Sequence, residues 1–190
     1  MKIIIAPQAF KGTVSSVSVA RAIHNGVMRT LPTAETVLIP IADGGTGTVE
    51  ALVSATKGRF IDTPTVDPLG RKIIARWGVL GDQETAVIET ASASGLVLLQ
   101  PRERSPLITS TEGTGHLLRA ALDHGYRRML IGLGDSATND GGMGFARSVG
   151  IRGLNDLGED IPPGGGALRQ LANFDMENVQ NKAIIIITDG

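Results

Sequence analysis

Apolar runs of strand length alternate along this chain with stretches of helical spacing, and glycine-rich loops join them. Residues 2–6 are a nearly continuous apolar run stopped by Pro7, the kind carried by a parallel strand buried on both faces. Beyond a loop, Ser15 or Ser16 can cap a helix that places Val19, Ala22, Ile23, Val27 and Leu31 at helical spacing and is closed by Pro32. A second strand is expected over 35–40, a glycine loop over 41–48, and a second helix over 49–56 that Gly58 ends. Strand, glycine loop and helix in alternation signal α/β layering.

The middle breaks that rhythm. Residues 59–66, 71–80 and 85–89 are three strand-like runs joined by turn signals at 67–70 and 81–82. Connectors that short exclude a crossover helix, so these runs are expected to pair antiparallel, in a β-rich segment set apart from the α/β core. Residues 111–125 return to helical spacing through Leu117, Leu118, Ala121 and Leu122, residues 129–133 read as a buried strand, and 145–149 as helix. Residues 160–166 read as a flexible loop and 183–187 as a central strand, after which the sequence stops at Gly190. Buried strands are normally covered by a following element, so the expectation is the amino-terminal part of a longer protein, or a truncated reading frame.

Composition narrows the function classes. A 42% hydrophobic and 19% charged chain of 190 residues is globular and long enough for a sizeable core. A net charge of -1 without a basic run argues against nucleic acid or a membrane surface as partner. The absence of cysteine excludes disulfides, thiolate metal sites and a cysteine nucleophile. The amino terminus has no signal-like apolar region and no run reaches spanning length, so a cytoplasmic protein is expected.

Three loops share one design, a strand, then glycine and hydroxyl residues, then a helix: residues 6–16, 41–48 and 132–144, the last two of which also carry carboxylates. In a parallel sheet such loops leave one edge and are expected to line a single cleft. Their residue types suit phosphate chemistry. Backbone N–H groups of Gly44, Gly45, Gly47, Gly141 and Gly142 can approach phosphate oxygens closely. Lys11 can bring positive charge to a transferring group, and Asp43, Asp140 or Asp189 can hold Mg²⁺ through carboxylate oxygens. Thr48, Ser136, Thr138 and Asn139 supply polar side chains, and Ser94 and Thr114 lie in two further stretches that suit an anion. Each also has a plainer reading: Asp43 braces a turn, Asn139 or Asp140 caps a helix, and Glu89 is a cap or a ligand contact. For a cap, Asp140→Asn is expected to be nearly harmless, because Asn caps as well as Asp. No P-loop pattern is present. Gly132-x-Gly134-x-x-Ala137 does fit a relaxed dinucleotide fingerprint, with Asp156 or Glu159 at ribose distance, which keeps an NAD-type oxidoreductase as an alternative.

Several longer motifs occur in order. Ala6-Pro-Gln-Ala-Phe-Lys-Gly-Thr13 resembles the Ala-Pro-Asp-Ser-Phe-Lys-Gly motif of the bacterial glycerate kinase family. Ala42-Asp-Gly-Gly-Thr-Gly-Thr48 is similar to its Ala-Asp-Gly-Gly-Glu-Gly-Thr motif, and Gly134-Asp-Ser-Ala-Thr-Asn-Asp-Gly-Gly142 to its Gly-Gly-Ser-Ala-Thr-Asn-Asp-Gly-Gly motif. The chain departs from these motifs with Gln8 for Asp, Thr46 for Glu and Asp135 for Gly, and Thr188-Asp-Gly190 matches only partly. The resemblance implies ATP- and Mg²⁺-dependent phosphorylation of D-glycerate to a phosphoglycerate, with Lys11, Asp43 and Asp140 as catalytic candidates. It also implies a three-layer α/β/α core with a mainly parallel sheet, over 1–58 and 109–190, and an inserted β-rich second domain over 59–108. A homo-oligomer is compatible with it. A truncated paralogue that binds glycerate or nucleotide without turnover is the other alternative.

Overall fold

The computed structural model describes residues 1–10, 13–179 and 184–188. Lys11 and Asp189 therefore lie outside the described residues. Strand β1 (Lys2–Ile5) pairs in parallel with β2 (Glu35–Leu38), and helix α1 (Ser16–Thr30) connects them. The α1 cap is Ser15, whose Oγ accepts from the Ser18 amide at 3.3 Å, one of the two serines expected to do so. The expectation that residues 2–6 are buried on both faces is not met. Ile5 is buried, whereas Ile4 is 64% exposed, because β1 belongs to a two-stranded sheet.

Helix α2 (Thr48–Thr56) leads to β3 (Arg59–Val66), β4 (Lys72–Val79) and β5 (Thr85–Glu89), which pair antiparallel in that order, as the short turns require. They are not set apart, however. β5 also pairs in parallel with β6 (Arg128–Gly132), and β6 with β9 (Ile184–Thr188), so one five-stranded sheet runs β3-β4-β5-β6-β9. The reason lies in β5 itself. All five of its residues are buried, so it has a partner on each edge and serves as the seam between the antiparallel and parallel halves of a mixed sheet.

One face of that sheet is covered by a helix, and the other is covered over β5 and β6 but leaves Asp62, Ile74 and Arg76 of β3 and β4 exposed. Helix α4 (Glu112–Asp123), which carries the chain from β5 back to β6, puts Leu117, Leu118 and Ala121 against Trp77, Ile88 and Met129. Trp77 is fully buried and its Nε1 donates to Thr63 Oγ1 at 2.8 Å, which satisfies the indole while its ring fills the core. On the opposite face Val49 and Val53 of α2 pack on Val87, with Leu130 beside them. The short α3 (Ala91–Ser94) and α5 (Met143–Arg147) follow β5 and the loop after β6. A small antiparallel pair, β7 (Arg152–Leu154) and β8 (Asn173–Asp175), completes the fold. The 160–166 loop is held down, since Gly165 abuts the carbonyls of Asn139 and Pro106.

Candidate functional site

β5, β6 and β9 are parallel to one another, and their carboxyl ends, Glu89, Gly132 and Thr188, stand side by side in register. Ligands in open α/β sheets sit beyond such an edge. The second glycine loop, which follows β2, is folded onto this edge. Gly134 N–H donates to the Gly44 carbonyl at 2.9 Å. A Cβ on Gly132 would stand 2.4 Å from that carbonyl oxygen, and one on Gly134 would stand 2.6 Å from Gly45 Cα. Only glycine allows two backbones to approach so closely. The first loop runs beside the base of the second, with Ile41 N–H donating to the Pro7 carbonyl at 2.9 Å.

Two carboxylates meet where the second loop touches the third. Asp43 is exposed, and its Oδ1 accepts from Gly45 N–H at 3.1 Å in an Asx turn. Asp135 Oδ2 accepts from Thr46 N–H at 3.0 Å. The position of a Cβ on Gly45 lies 2.9 Å from Asp135 Oδ2 and 3.2 Å from Asp43 Oδ1, so those oxygens are no farther apart than 6.1 Å, the sum of the two. Asp135 has φ +57, the left-handed region that favours glycine and that Asp tolerates better than most residues. Its place in the site is thus legible only in the backbone.

Asp140 has turned inward. It is 1% exposed, and its Oδ2 accepts from the Thr111 and Gly144 amides at 2.9 and 3.1 Å and from the Ser110 hydroxyl at 3.2 Å. Its Oδ1 accepts from Gly142 N–H at 3.1 Å, and the Thr111 hydroxyl reaches both oxygens at 3.0 Å. One side chain therefore serves the entry to α4 and the start of α5 together. The residue at the α5 N-cap position is Gly142 rather than Asn139 or Asp140. Ser94 and Thr114 are likewise interior, with their hydroxyl oxygens 2.7 Å apart.

Glu89 occupies the start of α2. Its Oε2 accepts from Val49 N–H at 2.9 Å, and its Oε1 from Gly47 N–H at 3.3 Å and the Ser92 hydroxyl at 3.1 Å. Burial pushes its carboxyl above the usual range, opposed by the Val49 and Gly47 amides and the Ser92 hydroxyl. A carboxyl raised in the folded state binds more protons folded than unfolded, from about pH 4.3, the ordinary glutamate value, upward to the raised value. Stability is thus expected to fall as pH rises through that window, and Glu89→Gln should remove this part of the slope. Urea unfolding of both chains across the window checks it, and parallel curves would refute it.

Of the residues read from the sequence, Asp43, Ser136 and Asn139 are exposed at this edge, and Thr138, Gly47 and Gly142 are half-buried there. Ser136 Oγ and Thr138 Oγ1 lie 2.8 Å apart. Among the described residues the amides of Ser136, Asn139, Asp140 and Gly141 meet no acceptor, and those of the exposed Asn139 and Gly141 are open to an anion. Thr48, Ser94, Thr114 and Asp140 are interior, and the Gly47 amide already serves Glu89. Asp135, not singled out from the sequence as a site residue, joins the site. The relaxed dinucleotide fingerprint has no structural counterpart. Gly134 is packed on the second loop, and α5 begins only at Met143, well past Ala137. Among the described residues no group of three or more His, Cys, Asp or Glu side chains could hold a metal.

Comparison with known proteins agrees with this geometry. The family model described as the glycerate kinase family matches residues 3–189. The chain is 50% identical over 182 residues to a glycerate kinase of Bacillus subtilis (strain 168), covering 96% of this chain and 48% of that one. It is 44% identical over 179 residues to the glycerate 2-kinase of Escherichia coli (strain K12), covering 94% and 47%. A solved structure provisionally named glycerate kinase 2, from Salmonella typhimurium LT2, superposes with a TM-score of 0.87 at 43% identity, covering 98% of this chain and 52% of that one. The chain spans about half the length of the curated relatives it matches. With glycine loops packed backbone to backbone at one sheet edge and a family match over nearly its whole length, the chain belongs to the glycerate kinase family.

Proposed function

We propose that this chain carries the catalytic loops of an ATP-dependent kinase that phosphorylates D-glycerate. The observation that carries the reading is the exposed Asp43 carboxylate, held by an Asx turn on a glycine loop pinned to the loop after β6. In phosphoryl transfer the protein contributes positioning and charge neutralisation more than covalent chemistry. Asp43 is the group placed to accept the proton of the glycerate hydroxyl as it attacks the γ-phosphoryl group. The open amides of Asn139 and Gly141, with the Ser136 and Thr138 hydroxyls, suit phosphate oxygens. Lys11 remains the proposed cation for a phosphate or for the glycerate carboxylate.

Magnesium fits a site of this composition. It is commonly held by one or two carboxylates together with substrate phosphates, and Asp43 and Asp135 are the carboxylates at hand. Bound there, it would neutralise charge on the phosphates. Asp189, next after the β9 edge residue Thr188, remains a proposed additional ligand. Asp140, by contrast, supports the site from behind, because its oxygens are filled by protein donors. No helix among the described residues is long and apolar enough to cross a membrane; a cytoplasmic setting is part of this proposal.

The test supplies the purified chain with ATP, Mg²⁺ and D-glycerate and follows phosphoglycerate by mass spectrometry, with calorimetric titration of each ligand alongside. Product formation that needs all three supports the reading. Glycerate binding without turnover would instead identify a non-catalytic binding module.

A further inference from the structure

The α2 N-terminus lacks a cap of its own. The residue at the cap position is Gly47, with φ +94 and no side chain, and the first-turn hydroxyl of Thr48 is buried without a hydrogen-bond partner. Such a terminus leaves amides unsatisfied inside the protein unless something distant reaches them. Glu89 does so from the end of β5. It takes both the Gly47 and Val49 amides, while its backbone is in register with Gly132, on which Gly44 is packed. The carboxyl end of the second glycine loop is consequently held by two carboxylates on successive amides, Asp135 on Thr46 and Glu89 on Gly47, while Gly44 is tied to Gly134.

We propose that Glu89 is the positioning residue of the site: by closing α2 across the sheet edge it fixes where Gly45, Thr46 and the Asp43 carboxylate stand. Its ionised form accepts from both amides through separate oxygens and from Ser92 without setting an O–H against any of these donors. Its side chain borders an open cleft of about 410 Å³ whose other charged groups are Arg21 and Glu50, from α1 and α2, and Arg76 from β4. Glu89 itself is buried, in the wall of that cleft. The kinetic consequence of this inference rests on the kinase reading, whereas the structural consequence does not.

The test compares the chain with Glu89→Gln and Glu89→Ala. Amide hydrogen exchange read by NMR is expected to lose about tenfold protection at both Gly47 and Val49 in Glu89→Ala, the effect of losing a hydrogen bond to a charged group. Glu89→Gln should keep the Val49 bond through its carbonyl oxygen and lose the Gly47 bond. Amides of 128–132 should be unchanged, and Gly45 and Thr46 resonances should move in both variants. With D-glycerate and ATP, kcat should fall at least about tenfold in Glu89→Ala while KM for ATP stays put, and Glu89→Gln should recover part of the loss. A cap with no further role would lower both rates only as far as it lowers the folded fraction, so unchanged kcat per folded molecule overturns the proposal. Unmoved Gly45 and Thr46 resonances overturn it too. Should Glu89→Ala not fold, Glu89→Gln carries both readouts. A wild-type chain without turnover defeats the kinase reading alone, and the resonances then decide the role of Glu89.

Discussion

Asp140→Asn is expected to destabilise the chain by about 2 kcal/mol, summing one lost hydrogen bond to a charged acceptor and one half-buried amide left unpaired. The geometry leaves no neutral solution. Both oxygens of Asp140 face backbone N–H groups, Thr111 and Gly144 on Oδ2 and Gly142 on Oδ1. Whichever way an asparagine amide is turned, its NH₂ confronts at least one of these donors. The milder orientation places NH₂ at the Oδ1 position, where the Thr111 oxygen can accept from it, and sacrifices the Gly142 bond. A simple N-cap would have tolerated the swap within about 1 kcal/mol, which is what the local sequence suggests. Urea denaturation decides between the two. A midpoint that moves by less than 1 kcal/mol at constant m would show that the buried network relaxes around the amide.

That contrast shows how much of the site was readable. Loop 132–144 announces itself by composition, since glycines and four polar side chains follow an apolar run. What turns Asp140 inward is Thr111 and Ser110, 29 and 30 residues upstream, and nothing local reports their approach. Glu89 is similar: the amides it accepts from are 40 and 42 residues away, so the sequence leaves it between cap and ligand. The antiparallel pairing of β3, β4 and β5 follows from short turns, a local property. The parallel edge that β5 offers to β6 depends on a helical crossover and was missed for that reason. Asp135 and Thr46 are a further case. Read separately they are two departures from the motifs the chain resembles; in the structure they touch, with the Asp135 carboxylate on the Thr46 amide. Position 135 has a backbone that favours glycine, and the cost of a side chain there is offset by a bond between loops.

Asp43→Asn should have the opposite profile from Asp140→Asn. Asp43 is exposed and makes one bond, from its Oδ1 to Gly45 N–H, which an asparagine carbonyl oxygen can keep. The new NH₂ falls at Oδ2, which no donor among the described residues occupies. Stability is therefore expected to stay within about 0.5 kcal/mol, as for a surface substitution that leaves its turn intact. Glycerate-dependent ATP turnover should fall by about 10² to 10⁴, the contribution of a positioned general base, because the amide cannot take a proton. Asp43→Ala separates the two roles: it removes the Asx bond as well, so it should add about 1 kcal/mol of destabilisation without a much larger kinetic loss. Turnover by each variant, corrected for the folded fraction, is the measurement. Near-normal turnover in Asp43→Asn would reduce Asp43 to a turn brace and transfer the base to Asp135, the carboxylate that approaches the same glycine from the other loop.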